Sequence, residues 1–105
     1  MRKTAKHTIA GAIFAVALAS LGGCGGVVYS ARINSVEAKV EKAKELGAES
    51  SAPYEYYSAK VRVERAQQEA SRAEYGDALD LIDEAENFAD RAINQSSAVR
   101  KGAGR

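Results

Sequence analysis

A single cysteine, Cys24, rules out an internal disulfide, so nothing covalent staples this chain. A single histidine, His7, lies in a stretch that reads as a removable leader, which leaves the body without an imidazole base. Nucleophilic triads therefore lack their base, and acid–base work would fall to Asp, Glu, Lys or Tyr. Zinc, haem and di-iron ligand sets are missing as well, since each draws on His or on several Cys. No metal, cofactor, small-molecule substrate or catalytic activity is expected. Fifteen basic residues against fourteen acidic ones give no electrostatic case for a nucleic-acid partner. Tryptophan is absent, and five Tyr and two Phe make up the aromatic stock. The densest apolar run, Ile9 to Leu21, has thirteen residues, short of the roughly 20 that a membrane-spanning helix needs.

What is present begins with a three-part export signal over residues 1–23. Its head, Met1 to His7, carries Arg2, Lys3 and Lys6 with no acid, and Ile9 to Leu21 forms its apolar centre. Leu21, Gly22 and Gly23 then precede Cys24. Small residues at the two positions before the cysteine let an extended backbone enter a narrow peptidase cleft. Leu21-Gly22-Gly23-Cys24 resembles the cleavage box of bacterial lipoproteins, commonly Leu-Ala/Ser-Gly/Ala-Cys, with Gly22 a slight departure. The resemblance implies that the Cys24 thiol takes up a diacylglyceryl group before cleavage and an N-acyl chain such as palmitate after it. Cleavage would remove Arg2, Lys3 and Lys6, leaving twelve basic residues against fourteen acidic ones and a formal charge of −2.

After the cysteine the periodicity is helical throughout. Residues 24–27 read as the lipidated cysteine and a flexible tether. Tyr29, Ile33, Val36, Val40 and Ala43 recur at spacings of four and three, predicting a first helix over 28–46. Gly47 suits a left-handed helix end and Pro53 the first turn of the next helix. The second helix, from Pro53 to about Tyr75, has Tyr56, Ala59, Val63, Ala66, Ala70 and Ala73 on its inner face. Gly76 reads as the turn, with Asp77 and Asp80 as an acidic start to a third helix. That helix has an inner face of Ala78, Leu81, Ala85, Phe88 and Ala92, broadened by Ile82, Ala89 and Ile93. Residues 47–95 thus form a helical hairpin, and residues 96–105 read as a basic mobile tail. The expected fold class is all-α, a small three-helix array.

Ala52-Pro53-Tyr54-Glu55-Tyr56-Tyr57-Ser58-Ala59, together with Tyr75-Gly76-Asp77-Ala78 and Ala85-Glu86, resembles the bacterial envelope family known as domain of unknown function 4398. The likeness covers about residues 50–93. It implies an exported or lipidated helical protein whose hairpin resembles part of a tetratricopeptide array, and it brings no reaction. One hairpin cannot bury its own face, so the first helix, a second copy or a partner must cover it.

Antiparallel folding about Gly76 would make facing residues sum to about 152, pairing Arg62 with Asp90 and Arg72 with Asp80 and burying Phe88. The acids Asp77, Asp80, Asp83, Glu84, Glu86 and Asp90 would then be answered by bases of the second helix, a solvated face in preference to a calcium site. Among the tyrosines, either Tyr56 packs inward while Tyr54 and Tyr57 cover the loop, or Tyr54 and Tyr57 belong to a partner-binding patch. The resulting expectation is a non-catalytic interaction or scaffolding module. A lipid would hold it to the bacterial envelope, at the outer membrane facing the periplasm, because Gly25 stands where enteric inner-membrane lipoproteins often carry Asp. The alternatives are an uncleaved single-span protein anchored by residues 9–29, or a self-associating structural spacer of the envelope.

Overall fold

The computed structural model describes residues 24–103, every element of which is helical. The signal residues 1–23, with Leu21, Gly22 and Gly23, lie outside the described residues. Four helices follow in order: α1 Cys24–Glu45, the single turn α2 Ala48–Ser51, α3 Pro53–Ser71 and α4 Tyr75–Ala103. α4 is the central element, packed most extensively against α3 and next against α1. The first helix thus lies over the α3–α4 hairpin.

Two linked clusters make the core. In one, Ile33 and Val36 of α1 meet Val63 and Ala66 of α3 and Ala78, Ile82 and Ala85 of α4. In the other, Ala43, Ala48, Ala52, Tyr56 and Ala92 close the end of the bundle near α2. The inner faces expected of the first two helices are those observed from Ile33 to Ala43 and from Tyr56 to Ala66. Nine of the fourteen buried apolar residues are alanine. Alanines on both sides of the α3–α4 seam allow close approach, but each contributes little transferred area.

The turns show where glycine is and is not required. Gly47 has φ 84° and ends α1 in the left-handed region, as its position suggests. The α3–α4 turn is different, because its left-handed residue is Ala73 at φ 60° and Gly76 already lies within α4. The Glu74 amide donates to the Glu69 carbonyl at 2.9 Å, and that of Ala73 donates to Ala70 at 2.9 Å. This is the Schellman pattern, which satisfies the last carbonyls of a helix and ends α3 at Ser71.

Moving the pivot from Gly76 to Ala73, three residues back, shifts facing residues by about six. Arg62 accordingly bonds Glu84 at 2.9 Å, six residues short of the expected Asp90. Among the described residues Arg72, just past the end of α3, pairs with Glu69 at 4.0 Å and not with Asp80. The α4 face also turns by one residue. Ile82 and Ala89 are fully buried, whereas Leu81 and Phe88 are only partly so.

Both expected flexible ends are helical. α1 starts at Cys24, so Gly25 and Gly26 belong to a helix and not to a tether. α4 continues to Ala103, well past the expected start of a mobile tail at residue 96. Ser96 is itself fully buried, its hydroxyl 2.8 Å from that of Ser51. Ser51 in turn lies 3.0 Å from the Gly47 carbonyl, so a chain from Ser96 through Ser51 to that carbonyl satisfies both hydroxyls. The basic Arg100 and Lys101 occupy the last turn of α4, where the helix dipole favours cations.

Candidate interaction surface

The three tyrosines of the first turns of α3 separate cleanly. Tyr56 is 3% exposed, and burial followed by the neighbouring Glu49 carboxylate pushes its phenol above the ordinary value. Tyr54 and Tyr57 are 68% and 51% exposed. Val61, at 47%, extends them by one turn, giving an i, i+3, i+7 stripe on the side of α3 opposite the core. The Tyr57 ring stands edge-on to that of Tyr56, with centroids 5.0 Å apart, so a buried neighbour steadies it. Lys60 and Glu64 flank Val61 and share its shallow depression.

A second aromatic feature adjoins this stripe. Phe88 of α4 meets the edge of Tyr54 at 5.8 Å, and the guanidinium groups of Arg62 and Arg91 lie 4.4 and 4.3 Å from its ring centre. Cations over an aromatic face are attracted by its quadrupole. The expected core phenylalanine is therefore a half-buried surface ring clasped by two arginines, and it fixes Tyr54. Nothing in the residue pattern alone would have found this arrangement, because it depends on the turn at Ala73.

The acidic side of α4 is answered chiefly by α1 and not, as expected, by α3. Arg32 pairs with Asp83 and, at 2.9 Å, with Glu86. Lys39 bonds Glu86 at 2.8 Å and Asp90 at 3.0 Å. Arg32 and Lys39 are seven apart on one helix, as are Asp83 and Asp90 on the other, so the four charges form a ladder around Glu86. Hydrogen bonds from Lys39 and Arg32 hold the Glu86 carboxyl below its usual range despite its partial burial. The same contacts raise Arg32, principally through Asp83, and Lys39, principally through Glu86. Asp77 and Asp80 instead face Arg65 across an open hollow of about 280 Å³ between α3 and α4. Among the described residues no three His, Cys, Asp or Glu side chains converge to hold a metal ion. These charges tie α1 to α4 along one side of the bundle.

Cys24 opens α1, at the end of the bundle where the α3–α4 turn also lies. Tyr54 and Tyr57 lie toward the opposite end, where Tyr56 packs with Ala92. No helix among the described residues is long and apolar enough to cross a membrane. Comparison with protein-family models, with curated proteins and with solved structures yields no match. The resemblance to domain of unknown function 4398 accordingly rests on its motif residues alone.

Proposed function

We propose that this chain is a lipid-anchored helical protein of the bacterial envelope, of the kind found in the domain of unknown function 4398 family, and that its body binds another protein. Cys24 carries the lipid, Leu21, Gly22 and Gly23 form the cleavage site, and the body faces the periplasm from the outer membrane. It performs no catalysis. The observation that carries the binding role is the exposed Tyr54–Tyr57–Val61 stripe of α3, which α4 touches where Phe88 meets the edge of Tyr54. Tyrosine in such a patch offers large contact area at small entropic cost, and its hydroxyl remains hydrated until a partner arrives.

The test has two parts. Acyl labelling of the parent and of Cys24→Ser is expected to show lipid only on the parent and an unprocessed precursor for the variant. A variant still processed and membrane-bound like the parent removes the lipoprotein reading. Photo-crosslinkers placed at Tyr57 and at Lys44, on α1, then separate the surfaces. A discrete adduct from Tyr57 and none from Lys44 supports the stripe, and its mass tells a second copy from a different protein. Equal, diffuse labelling from both positions removes the binding role.

A further inference from the structure

The Cys24 end of the bundle is built unlike a tether. A Cβ at Gly25 would lie 3.2 Å from the Tyr75 Cβ, and one at Gly26 would lie 3.5 Å from the far edge of the Tyr75 ring. Tyr29, one turn on, sets its own ring 5.9 Å from the same tyrosine. Two adjacent glycines weaken a helix relative to alanine. Here they form a notch into which Tyr75, the first residue of α4, seats. In the same turn of α1, Val27 and Val28 are 68% and 45% exposed, an apolar pair apart from the Tyr54–Tyr57–Val61 stripe of α3. In the sequence, the apolar run Ile9 to Leu21 leads directly to this end. A cleaved, acylated chain and an uncleaved one would therefore both meet the bilayer here.

We propose that this end is a rigid footing on the lipid surface. Tyr75, seated on Gly25 and Gly26, clamps the anchor to the body, and Val27 and Val28 enter the headgroup layer. The bundle then stands on its α3–α4 turn, with α2 and the start of α3 at a fixed height. Ser51 contacts Ser96, twenty-one residues along α4 from Tyr75. At 1.5 Å per residue this raises the far end roughly 30 Å above the footing. The inference rests on membrane attachment at the N-terminal end, as proposed above, and adds that the attachment is stiff. An interaction surface held at constant height meets only partners that present their own site at that level.

The experiment uses protein purified from membranes, its mass first showing whether Cys24 is acylated, and reconstituted in phosphatidylcholine vesicles with an acceptor-labelled lipid. On an acylated chain Ser50→Cys supplies the one free thiol for a donor, on the exposed side of α2. Time-resolved energy transfer is expected to give a narrow donor–bilayer distance near 30 Å. A variant with Gly-Ser-Gly-Ser inserted between Gly26 and Val27 is expected to give a shorter mean and a broad spread. Tyr75→Ala is expected to broaden the distance while circular dichroism keeps the parent's helix content. A parent as broad as the insertion variant overturns the rigid footing and leaves attachment standing. A chain that fails to bind vesicles overturns both.

Discussion

At the scale of single residues, the two turns make opposite uses of the left-handed backbone. Gly47 takes φ 84° without a Cβ to strain, and nothing lies within 4 Å of where one would be. Gly47→Ala is thus expected to cost about 1 kcal/mol through backbone strain alone. Ala73 holds φ 60° with a Cβ present. Ala73→Gly is expected to stabilise the protein by about 0.5–1 kcal/mol, despite glycine's greater freedom in the unfolded chain. Paired thermal melts check both signs, and a loss of stability in Ala73→Gly would remove the Schellman turn from α3. Glu86 supplies a pH dependence. Its folded value is depressed, so its contribution is full above the unfolded glutamate value and disappears as pH falls through the folded one. Lys39 and Arg32 are raised, so theirs holds through neutral pH and is lost only on the alkaline side. Glu86→Gln is expected to cost about 1 kcal/mol at neutral pH and progressively less as pH falls through the depressed Glu86 value. Denaturant midpoints at pH 7 and pH 3 measure this difference, and an equal loss at both would assign Glu86 a packing role.

At the scale of the elements, α4 carries the most consequence. Ile82 is among the largest fully buried side chains and joins all three long helices. Ile82→Ala is expected to cost about 2–5 kcal/mol. Phe88→Ala removes a half-exposed ring and two arginine contacts, and is expected to cost about 1–2 kcal/mol. Equilibrium unfolding of the two variants ranks them, and the reverse order would restore Phe88 to the core. That ranking shows what could be read from residues alone. The stripes from Ile33 to Ala43 and from Tyr56 to Ala66 were legible, because period and burial coincide where a helix has one apolar face. α4 was less legible, since Leu81, Ile82, Phe88 and Ala89 make an apolar arc wider than the seam, and either half could face inward. What chose between the halves was the pivot at Ala73, invisible in a sequence with a glycine three residues away. The tyrosine surface was only half legible. Its residues were visible and the period turned Tyr56 inward, but the setting of Tyr54 against Phe88 depended on the turn at Ala73.

At the scale of the whole molecule, a core made mostly of alanine buries little area per residue and relies on every layer being present. Typical domains have only about 5–15 kcal/mol in hand, and a bundle of this kind belongs at the low end. The long α4 therefore divides into a part that holds the fold and a part that does not. Up to Ser96 its buried residues are Ala78, Ile82, Ala85, Ala89, Ala92 and Ser96, which seal both clusters. Beyond Ser97 the described residues are exposed, Val99 at 53% among them, and Arg100 and Lys101 favour the helix end only through its dipole. A chain ending at Ser97 is expected to melt within about 1 kcal/mol of the parent. A chain ending at Asp90 loses Ala92, Ile93 and Ser96, and with them the cover of Ala43, Ala48, Ala52 and Tyr56. That second truncation is expected to lose most of its helical signal at 25 °C, since a whole layer of the core is gone. Circular dichroism of both truncations in the unacylated body, residues 24 onward, settles the division. Equal stability of the two would mean that the upper cluster is not part of the cooperative core.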